Sequence, residues 1–128
     1  MFHLMLVALG GAVGAASRHL VGLVALRALG PGFPVGTLVV NILGSFLMGL
    51  LIAILARKGA AITSATEWRL FLATGVLGGF TTFSAFSLDA VLLWQRGESV
   101  SAIFYVLGSV ALSILALMAG LMLVRATA

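Results

Sequence analysis

Four separate stretches of this chain are each long and apolar enough to cross the hydrocarbon of a bilayer, and that feature removes most folds from consideration. They run over about 3–28, 35–56, 69–94 and 99–124, and about 20 apolar residues suffice for a span. The second and fourth carry no charge; the first carries Arg18 within it and the third Asp89 near its end. With 62% hydrophobic and 8% charged residues and a mean hydropathy of +1.29, the chain has more apolar surface than a soluble fold of 128 residues could hide. Such small domains bury only about 60–70% of the surface of their unfolded chain. The expected fold is therefore an all-α integral membrane domain over 1–128, with four transmembrane helices. The linkers Gly30–Pro34, Arg57–Thr66 and Gln95–Glu98 leave no room for a soluble domain. Met1 to Ser17 has no basic stretch ahead of its apolar run, so it reads as a retained span and not as a secretory signal.

Charge excludes some partners and weakly orients the chain. Seven cations and three acids give a net charge of +4, but the cations are scattered and form no basic patch with interleaved aromatics, so nucleic acid is excluded as a partner. There is no cysteine, hence no disulfide, thiolate metal site or thiol nucleophile. An even number of spans puts both termini on one side with Arg57, Lys58, Arg69 and Arg125, against Arg27 and Arg96 on the other. So slight a bias under the positive-inside rule is compatible with insertion in both orientations. Small residues recur at four-residue spacing: Gly10/Gly14, Ser45/Gly49, Gly75/Gly79, Ser109/Ser113 and Ala116/Gly120. Each pair suits close packing within the chain, and their accumulation favours an oligomer.

Polar residues inside the spans need a physical account. Asn41 lies in the middle of an uncharged span with Thr37 one turn before it; a carboxamide in hydrocarbon must be paired or wet. It is either interhelical glue or a donor facing an aqueous path. In the third span, Gly75 to Ser87 contains Gly78-Gly79 followed by Thr81-Thr82, a poor helix. The expectation is a break at Gly78-Gly79, tolerated where the freed backbone groups find partners, a cavity or a bound ion; the simpler alternative is a kink satisfied by the threonine hydroxyls. Phe83 and Phe86 share a face and are either packing or a pair of ring edges able to meet an anion. Ser109 and Ser113 share a face of the fourth span with Tyr105 one turn earlier, as helix-contact hydroxyls or as part of a polar track. Three acids and two histidines offer no catalytic dyad, which excludes the enzyme classes. A path of neutral donors with one buried arginine and no acidic ring suits a small anion.

Taken together these residues resemble the Fluc (CrcB) family of fluoride channels. The match is carried by Gly10–Arg18, by Gly36-Thr37 through Asn41 to Gly44-Ser45-Phe46, and by Gly78-Gly79-Phe80-Thr81-Thr82-Phe83-Ser84-Ala85-Phe86-Ser87. The resemblance implies an antiparallel, dual-topology homodimer in membrane lipid, with two fluoride pores and a central structural sodium ion. It implies that Asn41, Phe83 and Phe86 are fluoride contacts, that Ser109 and Ser113 form a hydroxyl track beside Tyr105, and that Thr37 and Thr82 add to the pore lining. By the same resemblance Gly78 and Thr81 offer main-chain carbonyls to sodium, and Arg18 sits near the vestibule. The implied role is passive export of cytoplasmic fluoride across a bacterial inner membrane. Two alternatives stand beside it. A dual-topology small multidrug transporter would want an acidic residue in the first span, which has none; a non-conducting membrane subunit is distinguished only by assay.

Overall fold

A computed structural model of the chain describes residues 1–58 and 64–127, so the middle of the Arg57–Thr66 linker lies outside the described residues. These residues form helices and turns, with no strand among them. Helix α1 covers Phe2–Leu29 and α2 Val35–Lys58. The third span, Ala65–Gln95, comprises α3 (Ala65–Trp68), a π-helical stretch (Arg69–Leu77), α4 (Gly78–Phe80) and α5 (Phe83–Gln95). Helix α6 covers Ser99–Ala126. Four helical segments are thus long and apolar enough to cross a membrane. The 24 residues of α2 rise about 36 Å, enough for the roughly 30 Å of hydrocarbon.

The helices stop where the backbone demands it. Gly30 (φ 76°) and Gly97 (φ 80°) take up left-handed conformations, which a side chain would disfavour. Arg96 donates to the Gly32 carbonyl at 2.9 Å and lies 3.2 Å from Glu98, tying two linkers together at one end. At the other, Arg57 donates to the Val124 carbonyl at 3.1 Å, satisfying an acceptor that the end of α6 leaves open.

The small residues are used inside the chain. Helix α1 packs along the π-helical stretch and α4, and α2 packs along α6. A Cβ on Gly10 or Gly14 would run into the Phe71 or Val76 carbonyl, and one on Gly49 or Gly120 into the Leu117 or Phe46 carbonyl. Backbone therefore lies against backbone along both seams, as small residues permit in membrane helices. Few side chains are buried in return. Tyr105, Leu93 and Val40 are the largest with almost no exposure, while Val24, Phe83, Phe104 and Leu107 are open on the surface. The accessible surface is 7897 Å², against about 6,400 Å² for a soluble monomer of this mass. The bundle is thin and apolar outside, suited to lipid as solvent.

The interruption of the third span does not fall at the glycines. Gly78 is helical (φ −63°, ψ −37°), and the chain leaves the helix at Thr81 (φ −82°, ψ 159°) and Thr82 (φ −155°, ψ 123°). The glycines serve another purpose: a Cβ on Gly79 would meet the backbone of Gly11, so that position lets α1 approach. Gly78 is exposed, and a Cβ there would make only an ordinary contact at 3.5 Å with the Ala73 carbonyl. Steric disruption of a turn by a side chain at Gly78 is therefore not expected within the chain.

Candidate functional site

An interrupted helix at membrane depth raises an accounting question: where do its backbone hydrogen bonds go? The Thr81 N–H closes onto the Leu77 carbonyl at 3.0 Å, and the Thr81 hydroxyl donates to the same oxygen at 2.9 Å. The next N–H, that of Thr82, would close onto Gly78 in a continuing α-helix. It donates instead to Asn41 Oδ1 at 2.7 Å, and Asn41 Nδ2 donates back to the Thr82 carbonyl at 3.0 Å. The Thr81 carbonyl accepts from Arg18 Nη1 at 3.4 Å, a long bond. The Thr82 hydroxyl then accepts from the Ala85 N–H at 3.1 Å and lies 3.3 Å from Ser84 Oγ. Thr82 is thus the N-cap of α5, satisfying one of the open donors of its first turn. The Gly78 carbonyl has lost its helical donor.

Beside the break lies an open groove of about 240 Å³, walled by Asn41, Thr81, Thr82, Phe83, Phe86, Ser109 and Ser113, with Ser45 and Val110 between them. Two more of the pore residues expected from sequence, Tyr105 and Thr37, are not in its wall. No carboxylate lines it, and no cluster of His, Cys, Asp or Glu able to hold a metal occurs among the described residues. Phe83 is 77% exposed and Phe86 only 8%, so the first ring stands at the open side and the second is set into the wall. Their centroids are 5.4 Å apart with the planes inclined at 51°. The aromatic run continues from Phe86 to Tyr105 at 5.4 Å and from Tyr105 edge-on to Phe33 at 5.5 Å.

One atom in the groove stands out energetically. Ser109 is 4% exposed, and its hydroxyl has no hydrogen-bond partner in the protein. A buried hydroxyl left unpaired costs about 1–3 kcal/mol. A serine in a helix usually settles on the carbonyl one turn back, as Ser17 does on Val13 and Ser87 on Phe83. Ser109 forgoes that bond, and the residue is among those that line the groove.

The remaining residues expected from sequence fall into two places. Tyr105 is 1% exposed and packs behind Phe86, its hydroxyl donating to Asp89 Oδ2 at 3.0 Å. Thr37 lines a separate groove with Pro34 and Gly36. Sequence reasoning left Asp89 out of the site. The available signal was its spacing, three residues after Phe86 and so on the same face of α5. Arg18 and Gly78 lie outside the groove wall, Arg18 through its bond to Thr81 and Gly78 on the exposed face of α4.

Comparison with known proteins adds the family. The sequence model of CrcB-like proteins, described as Camphor Resistance (CrcB), matches residues 5–121. A protein of Chelativorans sp. (strain BNC1), named fluoride-specific ion channel FluC, is 62% identical over 125 residues that cover 98% of each chain. Proteins of the same name from Mesorhizobium japonicum and Rhizobium leguminosarum bv. trifolii are 56% identical over 98% of each chain and 51% identical over 100% of each chain.

Proposed function

Because the chain belongs to the CrcB-like family, we propose that this multi-pass membrane protein is a fluoride channel whose conducting path includes the groove beside the break. The observation that carries the reading is the unpartnered hydroxyl of Ser109, a residue that lines the same groove as Asn41, Phe83 and Phe86. Fluoride is small and strongly hydrated, so a path for it must replace water with donors as it strips water away. Neutral donors do this without holding the ion so tightly that it cannot leave. Ser109 offers a hydroxyl, Ser113 a second one turn on, and Asn41 its remaining amide hydrogen. The ring edges of Phe83 and Phe86 carry the positive part of the aromatic quadrupole. The absence of a carboxylate from the groove wall avoids a like charge that low-dielectric walls would make prohibitive. Tyr105, Thr37 and Asp89 lie behind or beyond this path. Arg18, bonded to Thr81 at the break, supplies a fixed positive charge that raises the local anion concentration.

The working unit is an antiparallel homodimer of copies inserted in both orientations, in a bacterial inner membrane, exporting cytoplasmic fluoride passively. A monovalent cation such as sodium fits the break. The Gly78 carbonyl has lost its helical donor, and the Thr81 carbonyl bears only one long bond, so two neutral oxygens per copy remain available on the break. The same residues of a second copy would complete an oxygen-only site at a two-fold axis. The ion would be structural, neutralising carbonyls that lipid cannot hydrate. Purified protein in potassium fluoride-loaded liposomes tests the function. A fluoride electrode should register efflux on addition of a potassium ionophore, with no comparable chloride efflux, and vesicles that retain their fluoride would sink the proposal.

A further inference from the structure

We infer that Asn41 is the positioning residue of the interrupted span: its carboxamide pairs with both main-chain groups of Thr82 and so sets where α5 begins and how Phe83 and Phe86 face the groove. The inference rests on the fluoride-channel reading for its consequence and on geometry for its substance. Thr82 is in an extended, strand-like conformation (φ −155°, ψ 123°), which offers its N–H and C=O to a neighbouring strand. No strand is present among the described residues. A primary carboxamide carries one acceptor and up to two donors in a plane, like a peptide group, and Asn41 meets both demands, at 2.7 and 3.0 Å.

The clamp acts through the residue it holds. Thr82 caps α5 through its bond from Ala85, Phe83 is the first helical residue, and Phe86 follows within the first turn. Moving Thr82 therefore moves the first turn that carries both rings. The other side of the clamp is anchored. Val40, next to Asn41, is fully buried, and at Gly44 helix α2 lies against the Thr81 methyl and the Phe80 ring, where a Cβ would collide. Donor and acceptor of Asn41 are both committed to Thr82, leaving one amide hydrogen for an ion. The side-chain identity follows: aspartate keeps the acceptor but sets a negative oxygen against the Thr82 carbonyl, glutamine adds a methylene, and alanine leaves two backbone groups unpaired in a low-dielectric site.

The test separates a clamp from an ion contact. Fluoride flux in liposomes is compared for the parent, Asn41→Ala, and a variant in which the amide before Thr82 is replaced by an ester, removing that N–H with Asn41 intact. Hydrogen exchange at the Thr82 amide is followed by NMR in the parent and Asn41→Ala, and the ¹⁹F resonance of 4-fluorophenylalanine at Phe86 in all three. The expected result is exchange at Thr82 at least tenfold faster in Asn41→Ala, a displaced ¹⁹F resonance in both variants, and flux at least tenfold lower in both. Unchanged exchange, a static ¹⁹F resonance, or an ester variant that conducts like the parent would each overturn the inference. Should Asn41→Ala fail to assemble, the ester variant decides alone. A parent without fluoride flux would remove the channel reading, and the exchange and ¹⁹F results would still decide the clamp.

Discussion

Replacing Ser109 with alanine separates function from stability, because its hydroxyl is buried without a partner. An ordinary buried serine loses about 1 kcal/mol of stability on truncation, since its hydrogen bond is lost. Ser109 has no such bond to lose, and its 4% exposure means that water compensates little of the roughly 1–3 kcal/mol it costs to desolvate a hydroxyl. Ser109→Ala should therefore melt at the same temperature as the parent or higher in fluoride-free detergent. Conduction should move the other way. A hydrogen bond to a charged group is worth about 1.5–3 kcal/mol, so losing it at the desolvated point of the path should slow fluoride roughly ten- to hundredfold. Ser109→Thr, which keeps the hydroxyl, should recover part of the flux if the added methyl is accommodated. Initial efflux from liposomes with a fluoride electrode measures the rate, and thermal unfolding by circular dichroism measures the stability. A variant that conducts like the parent, or that melts well below it, would refute the reasoning.

The aromatic edges are tested by Phe83→Ile and Phe86→Ile, which keep much of the bulk but remove the quadrupole. Flux should fall steeply with the oligomer intact by size exclusion, and parent-like flux in both would exclude the rings. Along the α1 seam, Gly14→Leu should cost about 1–3 kcal/mol or more, because a side chain there collides with the Val76 carbonyl, whereas Gly78→Ala should preserve helicity by circular dichroism. Replacing sodium with N-methylglucamine should lower the melting temperature in a concentration-dependent way, since a ligand of the folded state stabilises by mass action; a melt indifferent to sodium would exclude a resident ion. Reporters fused at the C-terminus should detect both orientations, and two or three lysines added within 57–66 should fix one and reduce flux.

What the sequence disclosed was governed by how local each cause is. Span number and length follow from apolar runs, and the helices match those expectations closely: Phe2–Leu29, Val35–Lys58, Ala65–Gln95 and Ser99–Ala126. The coexistence of Asn41, the phenylalanines and the two serines in one groove was suggested by face-sharing and by family resemblance, neither of which gives interhelical register. The break was misplaced because glycine was given its backbone meaning when, at Gly79, its meaning is packing: the absent side chain is filled by Gly11 of α1. The actual cause is a side chain about forty positions away, Asn41 on α2, which takes the Thr82 N–H out of the helix. The π-helical stretch Arg69–Leu77, packed along α1, had no sequence signature. The Asp89–Tyr105 bond was missed because a carboxylate near a span end reads as solvated until the partner tyrosine is placed beside it.

On the proposed reading, the same interruption would let one thin helix serve ions of opposite sign. A continuous helix uses its carbonyls and amides on each other, leaving nothing for a solute except at its ends. Ending the helix at Thr81 and restarting it at Phe83 creates two new ends at membrane depth. The first half closes with acceptors, the Gly78 carbonyl among them; the second opens with donors, of which Thr82 Oγ1 takes only the one from Ala85. The accompanying partial charges are negative on the first half and positive on the second. Arg18 and Asn41 each hold one of the two carbonyls between these ends, so the junction stays extended instead of relaxing into a helix that would cancel both. On that reading, the Gly78 and Thr81 carbonyls would be the acceptors for a cation, and the donors along the groove wall would meet an anion. A carboxylate at either place would favour one ion and repel the other; a break in neutral backbone would accommodate both.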